Sequence, residues 1–217
     1  MASTALKRSR LRPLNLVLAS SSPRRQALLA ALRIPFSTFT TPYHEPHHPH
    51  LPPHSLARLH ARSKASLAFA LGARGVILAA DTVVALGRQT FGKPRSLSHA
   101  YQILRSLQGR THRVYTAVTL LDTCTQRRRS ACVCTKVSMR PLSRHEIVRY
   151  CQLVNPLDKA GAYAIQDAGS IIIDRIEGCY YNVMGLPIAT VVKLLRSLGY
   201  SLFFPTGSPS RPTQPSQ

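Results

Sequence analysis

One carboxylate interrupts the apolar run GVILAADTVVAL, Gly75 to Leu86, and it is Asp81. Such a group is costly to withdraw from water unless it is paired, metal-bound or kept for reaction. Thr82, Val83 and Val84 resume β-type sequence without Gly or Pro, which favours one strand carrying a functional acid. The alternative is two strands with Asp81 in the turn between them. A second candidate is SSSPRR, Ser20 to Arg25, placed between the apolar run LNLVLA and a helical pattern. Ser22 suits an N-cap and Pro23 the first helical position. The free amides of such a turn make a ready anion site. Arg24 and Arg25 oppose the helix dipole there, each by roughly 0.3–1 kcal/mol at an exposed site. The turn therefore calls for a negative ligand, failing which both arginines extend into water. It is no Walker loop, since the glycines and the Gly-Lys-Ser/Thr ending are absent.

Three weaker candidates follow. In FGKPRS, Gly92 lets backbone approach a ligand and holds Lys93 against Pro94; alone it reads as a turn with a solvated lysine. In DKAGAYAIQ, Asp158 to Gln166, the Gln166 amide offers both a donor and an acceptor to a base edge. TPYHEPHHPHLPPH crowds His44, His47, His48, His50 and His54 around a single acid, Glu45. Its spacing is irregular for a metal site, so the histidines read as adventitious ligands at most.

These residues need a scaffold of alternating elements. Leu14–Ala19 reads as a buried strand and Arg24–Leu32 as a helix. Ile34–Thr41 alternates like a strand, and the His/Pro stretch is a loop. Helices are expected over Ser55–Leu71, Ser98–Leu107, Ser143–Leu153 and Val183–Leu198, the third opened by a Ser143/Glu146 capping box. Gly87–Phe91 turns the chain. His112–Leu121 and Ala131–Met139 form a hairpin with Arg127, Arg128 and Arg129 at its tip. Gly161–Glu177 is expected to hold two short strands. Early βα alternation followed by a hairpin predicts an α/β fold with a mixed sheet.

The chain has 217 residues, 44% of them hydrophobic, enough for one sizeable domain. No apolar run approaches the roughly 18 residues that a membrane helix requires. Residues 1–13 read as a basic flexible arm without the apolar centre of a secretion signal, and residues 205–217 as a disordered Pro/Ser tail. Five cysteines, an odd number without framework spacing, indicate free thiols and a cytoplasmic location. Lys and Arg total 29 against 8 acids, a formal charge of +21. That field draws polyanions, whether nucleotides or nucleic acids. It also makes each acid inside a motif a candidate for chemistry.

Taken together, LVLASSSPRRQALL, LAADTVVAL, FGKP, LQGRTHRVYTAV, DKAGAYAIQ and YYNVMGLPI resemble, in order, the signatures of the Maf family of nucleoside triphosphate pyrophosphatases. The resemblance runs from Leu14 to Leu198. It implies a single catalytic domain of two lobes over residues 14–204, with an elongated twisted mixed β-sheet flanked by helices and a smaller lobe. It implies hydrolysis of the α–β phosphoanhydride of dTTP or UTP, a divalent cation such as Mg2+ or Mn2+, and a homodimer. In that scheme Asp81 resembles the general base for water and, with Glu45, a metal ligand. Arg24, Thr82 and Gln166 resemble specificity positions. Ser20, Ser22, Arg25, Lys64 and Lys93 resemble phosphate contacts. Other readings are a pyrophosphatase for CTP or methylated GTP, and a nucleic-acid-binding or division-regulating protein with a vestigial cleft.

Overall fold

A computed structural model describes residues 14–46, 48, 50–166 and 168–202. The expected arm over 1–13, the expected tail over 205–217 and His47 of the histidine loop lie outside them. The chain opens with β1 (Leu16–Leu18), fully buried, and α1 (Pro23–Ala31). Next come β2 (Ser37–Thr38), α2 (Pro53–Ala70), β3 (Val76–Leu86), β4 (Gln89–Phe91) and α3 (Leu97–Leu107). The long hairpin β5 (Thr111–Asp122) and β6 (Arg128–Met139) leads into α4 (Arg144–Leu153). The chain ends with α5 (Gly169–Ile172), β7 (Ile173–Glu177), α6 (Tyr180–Val183) and α7 (Ile188–Leu198).

These strands form one mixed seven-stranded sheet in the order β2-β1-β3-β5-β6-β7, with β4 also on β3. β2, β1 and β3 are parallel; β5, β6 and β7 continue antiparallel. The expected α/β fold with helices against a mixed sheet is what the chain adopts. α2 lies on one face through Ala57, Ala61, Ala65 and Ala68, all fully buried, a run of methyl-sized side chains that brings helix and sheet close. On the other face Leu28 and Leu29 of α1 join Val191, Leu195 and Leu198 of α7 around Leu78 and Leu120. A separate cluster builds the far end, where Ile103 and Leu107 of α3 meet Ile147 and Tyr150 of α4.

β3 is the strand on which the site depends. β5 pairs with it from Val76 to Ala85 along one edge. On the other edge β1 covers only Val76–Leu78 and β4 only Val84–Leu86. The stretch between, centred on Asp81, is left without a strand partner on that edge, and a cleft opens there.

Several expectations are corrected. The strand expected over Ile34–Thr41 shrinks to Ser37–Thr38, because Pro35 lacks an N–H and Ile34 and Phe36 turn into the core. Gly87–Phe91 is more than a turn, since Gln89–Phe91 pairs back onto β3. Among the described residues of Gly161–Glu177 only one strand, β7, forms; ahead of it lie a 3-10 turn over Ala160–Ala162 and irregular chain. Gly161 has φ +74, and a Cβ there would stand 3.0 Å from Val84 Cγ2, so backbone presses directly onto β3. The expected helix over Val183–Leu198 is broken at Met184–Pro187, where Gly185 takes φ +104 and Pro187 cannot continue the hydrogen-bond ladder. The Ser143/Glu146 capping box forms as expected.

Candidate active site

Asp81 sits in the gap along the β3 edge, 4% exposed, and opposite Ala117 of β5. Lys64 reaches it from α2: Nζ lies 2.6 Å from Asp81 Oδ1 and 2.7 Å from Glu45 Oε1. Three segments distant in sequence thus meet at one ammonium. Burial pushes the Asp81 carboxyl above its ordinary range; Lys64 opposes that rise and the Glu45 charge adds to it. Glu45 is half exposed. Burial acts upward on it too, but Lys64 outweighs this and its carboxyl lies below the usual range.

Two carboxylates that converge on one cation also fit a hard divalent ion. Mg2+ needs one or two carboxylates and completes its shell with water and substrate phosphates. Among the described residues no three His, Cys, Asp or Glu side chains gather as a metal-binding group. His60, close enough to feel the charges of Asp81 and Glu45, is instead a buried partner of the Tyr43 hydroxyl at 2.9 Å from Nδ1.

The serine turn departs from expectation. Ser22 occupies the N-cap with extended backbone, but its side chain makes no capping hydrogen bond. Ser20 Oγ faces inward, accepting from the Ser22 N–H at 3.2 Å and from Arg25 Nη1 at 3.0 Å. Arg25 is neither solvated nor a free clamp. Its Nε donates to the Gly185 carbonyl at 2.8 Å and Nη2 to Thr82 Oγ1 at 3.2 Å, so one buried guanidinium ties α1, β3 and the break before α7. Burial lowers its pKa, and Asp81 acts against that. Two of its five N–H groups remain beyond these three bonds for a ligand.

Arg24 pairs with Asp158 at 2.9 Å and also donates to the Asp158 carbonyl at 3.1 Å. Asp158 holds Lys159 at 2.6 Å as well. Arg24 thereby fixes the segment that carries Gln166, which is half-buried and lines the cleft. Thr82 also lines the cleft; its Oγ1 shares a 3.0 Å hydrogen bond with Thr116. Lys93 is exposed on the rim, and the neighbouring Gly92 carbonyl accepts from the Gly161 N–H at 3.1 Å. The cleft holds about 250 Å³ and adjoins a wider recess of about 720 Å³ that shares Glu45, Asp81, Thr82 and Lys93.

Asp158, His112 and Tyr163 were not singled out by the sequence. Tyr163 lines the cleft, and its hydroxyl lies 2.7 Å from His112 Nε2. Burial raises the Tyr163 pKa and lowers His112 to about 4, and His112 Nδ1 has no partner. Asp158 carried a signal, being one of few acids in a basic chain. His112 carried only its strand parity, which points inward beside Val114.

Comparison with known proteins agrees with this layout. The family model described as Maf-like protein matches residues 15–198. A dTTP/UTP pyrophosphatase of Carboxydothermus hydrogenoformans is 44% identical over 187 residues, covering 86% of this chain and 100% of the relative. That of Pelodictyon phaeoclathratiforme is 43% identical over 84% of this chain and 96% of the relative. That of Salinibacter ruber is 43% identical over 84% and 90%. With a buried acid at an open strand edge, a basic helix start against it, and a match spanning most of its length, the chain belongs to the Maf-like protein family.

Proposed function

We propose that the chain is a nucleoside triphosphate pyrophosphatase that converts dTTP and UTP, with water, to the monophosphate and pyrophosphate. The observation that carries this is the placement of Asp81, a buried carboxylate with a raised pKa, beside Lys64 at the open edge of β3. Support comes also from relatives named dTTP/UTP pyrophosphatase at 37–44% identity.

In this reading the water oxygen attacks the α-phosphorus, its proton passes to Asp81, and the bridging bond to the β-phosphate breaks. A carboxylate whose pKa is raised above its ordinary range is the stronger base for that transfer. Lys64 and Lys93 act as point charges toward the phosphates, and the open start of α1 offers amides. Arg25 positions Thr82 and the Gly185 carbonyl, and its two remaining donors face the phosphates. Glu45 and Asp81 would hold the divalent ion, Mg2+ or Mn2+, which when bound polarises phosphoryl oxygens. Gln166 reads the base edge, with Arg24 fixing its segment through Asp158. The active form is proposed as a homodimer in the cytoplasm. No helix among the described residues is long and apolar enough to cross a membrane.

Pyrophosphate release from dTTP, UTP, CTP, methylated GTP and purine triphosphates, with Mg2+, Mn2+ or Co2+, tests the reading. Turnover should be highest for dTTP and UTP and should require a divalent ion. Preference for CTP or methylated GTP would refute the substrate assignment, and metal-independent turnover the cation. Sedimentation velocity checks the dimer.

A further inference from the structure

We infer that the open face of the β5–β6–β7 sheet is a binding surface for single-stranded nucleic acid, separate from the cleft. α2 covers β3 and β5, and its cover runs out across β6. Tyr115 and Cys132, both half-buried, still pack beside Ala57 and Ala61, whereas Cys134, Lys136 and Arg113 are exposed. The ladder places Arg113 opposite Lys136, Tyr115 opposite Cys134, Lys136 opposite Glu177 and Ser138 opposite Arg175. Directly paired residues share a face, so these side chains form one pleated surface.

α2 supplies the rim. His54, Arg58, Arg62 and Ser66 recur at four-residue spacing and form one stripe. Contacts near each end fix its direction: the His54 ring centroid lies 6.3 Å from that of Tyr115, and Ser66 Oγ accepts from Arg128 Nη2 at 2.9 Å. Arg58 is close enough to act electrostatically on the Cys132 thiol. Arg58, Arg62, Arg113, Arg128, Lys136 and Arg175 therefore border a surface on which Glu177 is paired with Lys136 at 3.0 Å and Arg175 at 2.6 Å.

The charge and the rings select the partner. A surface with several more cations than acids is complementary to a polyanion. Along the rim, the exposed His54 ring and the half-buried Tyr115 ring add what a phosphate chain alone does not need, a stacking surface for unpaired bases. A duplex keeps its bases stacked on one another and would use only the cations. The surface draws on none of the groups assigned to the cleft, so the two sites are separable by mutation.

The test is fluorescence anisotropy of a labelled 5′-hydroxyl oligouridylate, with its duplex, phosphatidylserine vesicles and a salt series alongside. Tyr115→Ala should weaken single-strand binding about tenfold, while Tyr115→Phe keeps it. Changing Arg58, Arg113 and Lys136 together to Gln should lower the slope of log K against log salt by about 2, at roughly 0.7 per phosphate contact. Pyrophosphate release by these variants should be unchanged. The control variant has Gln at Arg105, Arg144 and Arg149, exposed on α3 and α4, and should bind like the parent. The inference is overturned by an equal loss in that control, by duplex binding as tight as single-strand binding, or by binding to vesicles alone. It is likewise overturned if the triple variant alters sedimentation while oligonucleotide binding is unchanged, since the face then meets a second copy of the chain.

Discussion

His112 gives a stability test whose size follows from its surroundings. Its ring is 1% exposed, Nε2 meets the Tyr163 hydroxyl at 2.7 Å, and Nδ1 has no partner to share a second proton. Burial lowers its pKa to about 4 from an ordinary 6.5. The unfolded chain therefore takes up this proton first as pH falls, and stability drops wherever the unfolded state binds more protons. The contribution is fully present above pH 6.5, is lost progressively down to about pH 4, and changes no further below. From the two pKa values, the loss relative to neutral pH is about 2 kcal/mol at pH 5 and about 3 kcal/mol at pH 4. The assay is urea denaturation of the parent and His112→Gln from pH 7.5 to 4. Gln keeps a polar group for Tyr163 but does not titrate. The variant starts less stable at neutral pH, and the gap should narrow, by about 2 kcal/mol at pH 5, as only the parent loses this term. With a urea slope of about 2 kcal/mol per molar, that is about 1 M in relative midpoint. Parallel decline of both proteins would mean that the ring reaches solvent or a proton acceptor, and the reasoning fails.

Asp81→Asn should retain the fold, since Lys64 keeps Glu45 as a partner, and should lose pyrophosphate release by a factor of about 10² to 10⁴ as a general base is removed; undiminished turnover excludes the role. Arg25→Met strands the Gly185 carbonyl and takes one hydrogen bond each from Ser20 and Thr82, and should cost about 2–4 kcal/mol in urea midpoint analysis. Arg25→Lys should not restore it, because one ammonium cannot span the three acceptors. Gln166→Ala should reduce discrimination among bases more than affinity for the triphosphate, read as KM across a nucleotide panel; equal losses for every base contradict the assignment.

Much of this was written locally in the chain. The period-two hairpin, the capping box at Ser143 and Glu146, and the acid set within GVILAADTVVAL each follow from neighbours in sequence. What was not legible depends on contacts between distant segments. Arg25 reads as a solvent or ligand arginine until the Gly185 carbonyl, 160 residues away, closes on it. Lys64 lies within a helix whose pattern is otherwise alanine-rich, and only the packing of that helix on the sheet reveals what it can reach. The strand expected before Gly169 fails because Gly161 must lie against Val84, and a close backbone crossing leaves no mark in periodicity.

The alanines of α2 can be regarded as the ruler of the site. Because Ala57, Ala61, Ala65 and Ala68 set how deeply the helix beds into the sheet, they also set the reach of Lys64 to Asp81. A single added methyl or two at Ala61 or Ala65, remote from any reacting atom, would lift the helix and lengthen that span. Related chains can thus retune the charge balance around the acid without replacing any polar residue, and a search for such tuning belongs in the packing seam as much as in the cleft.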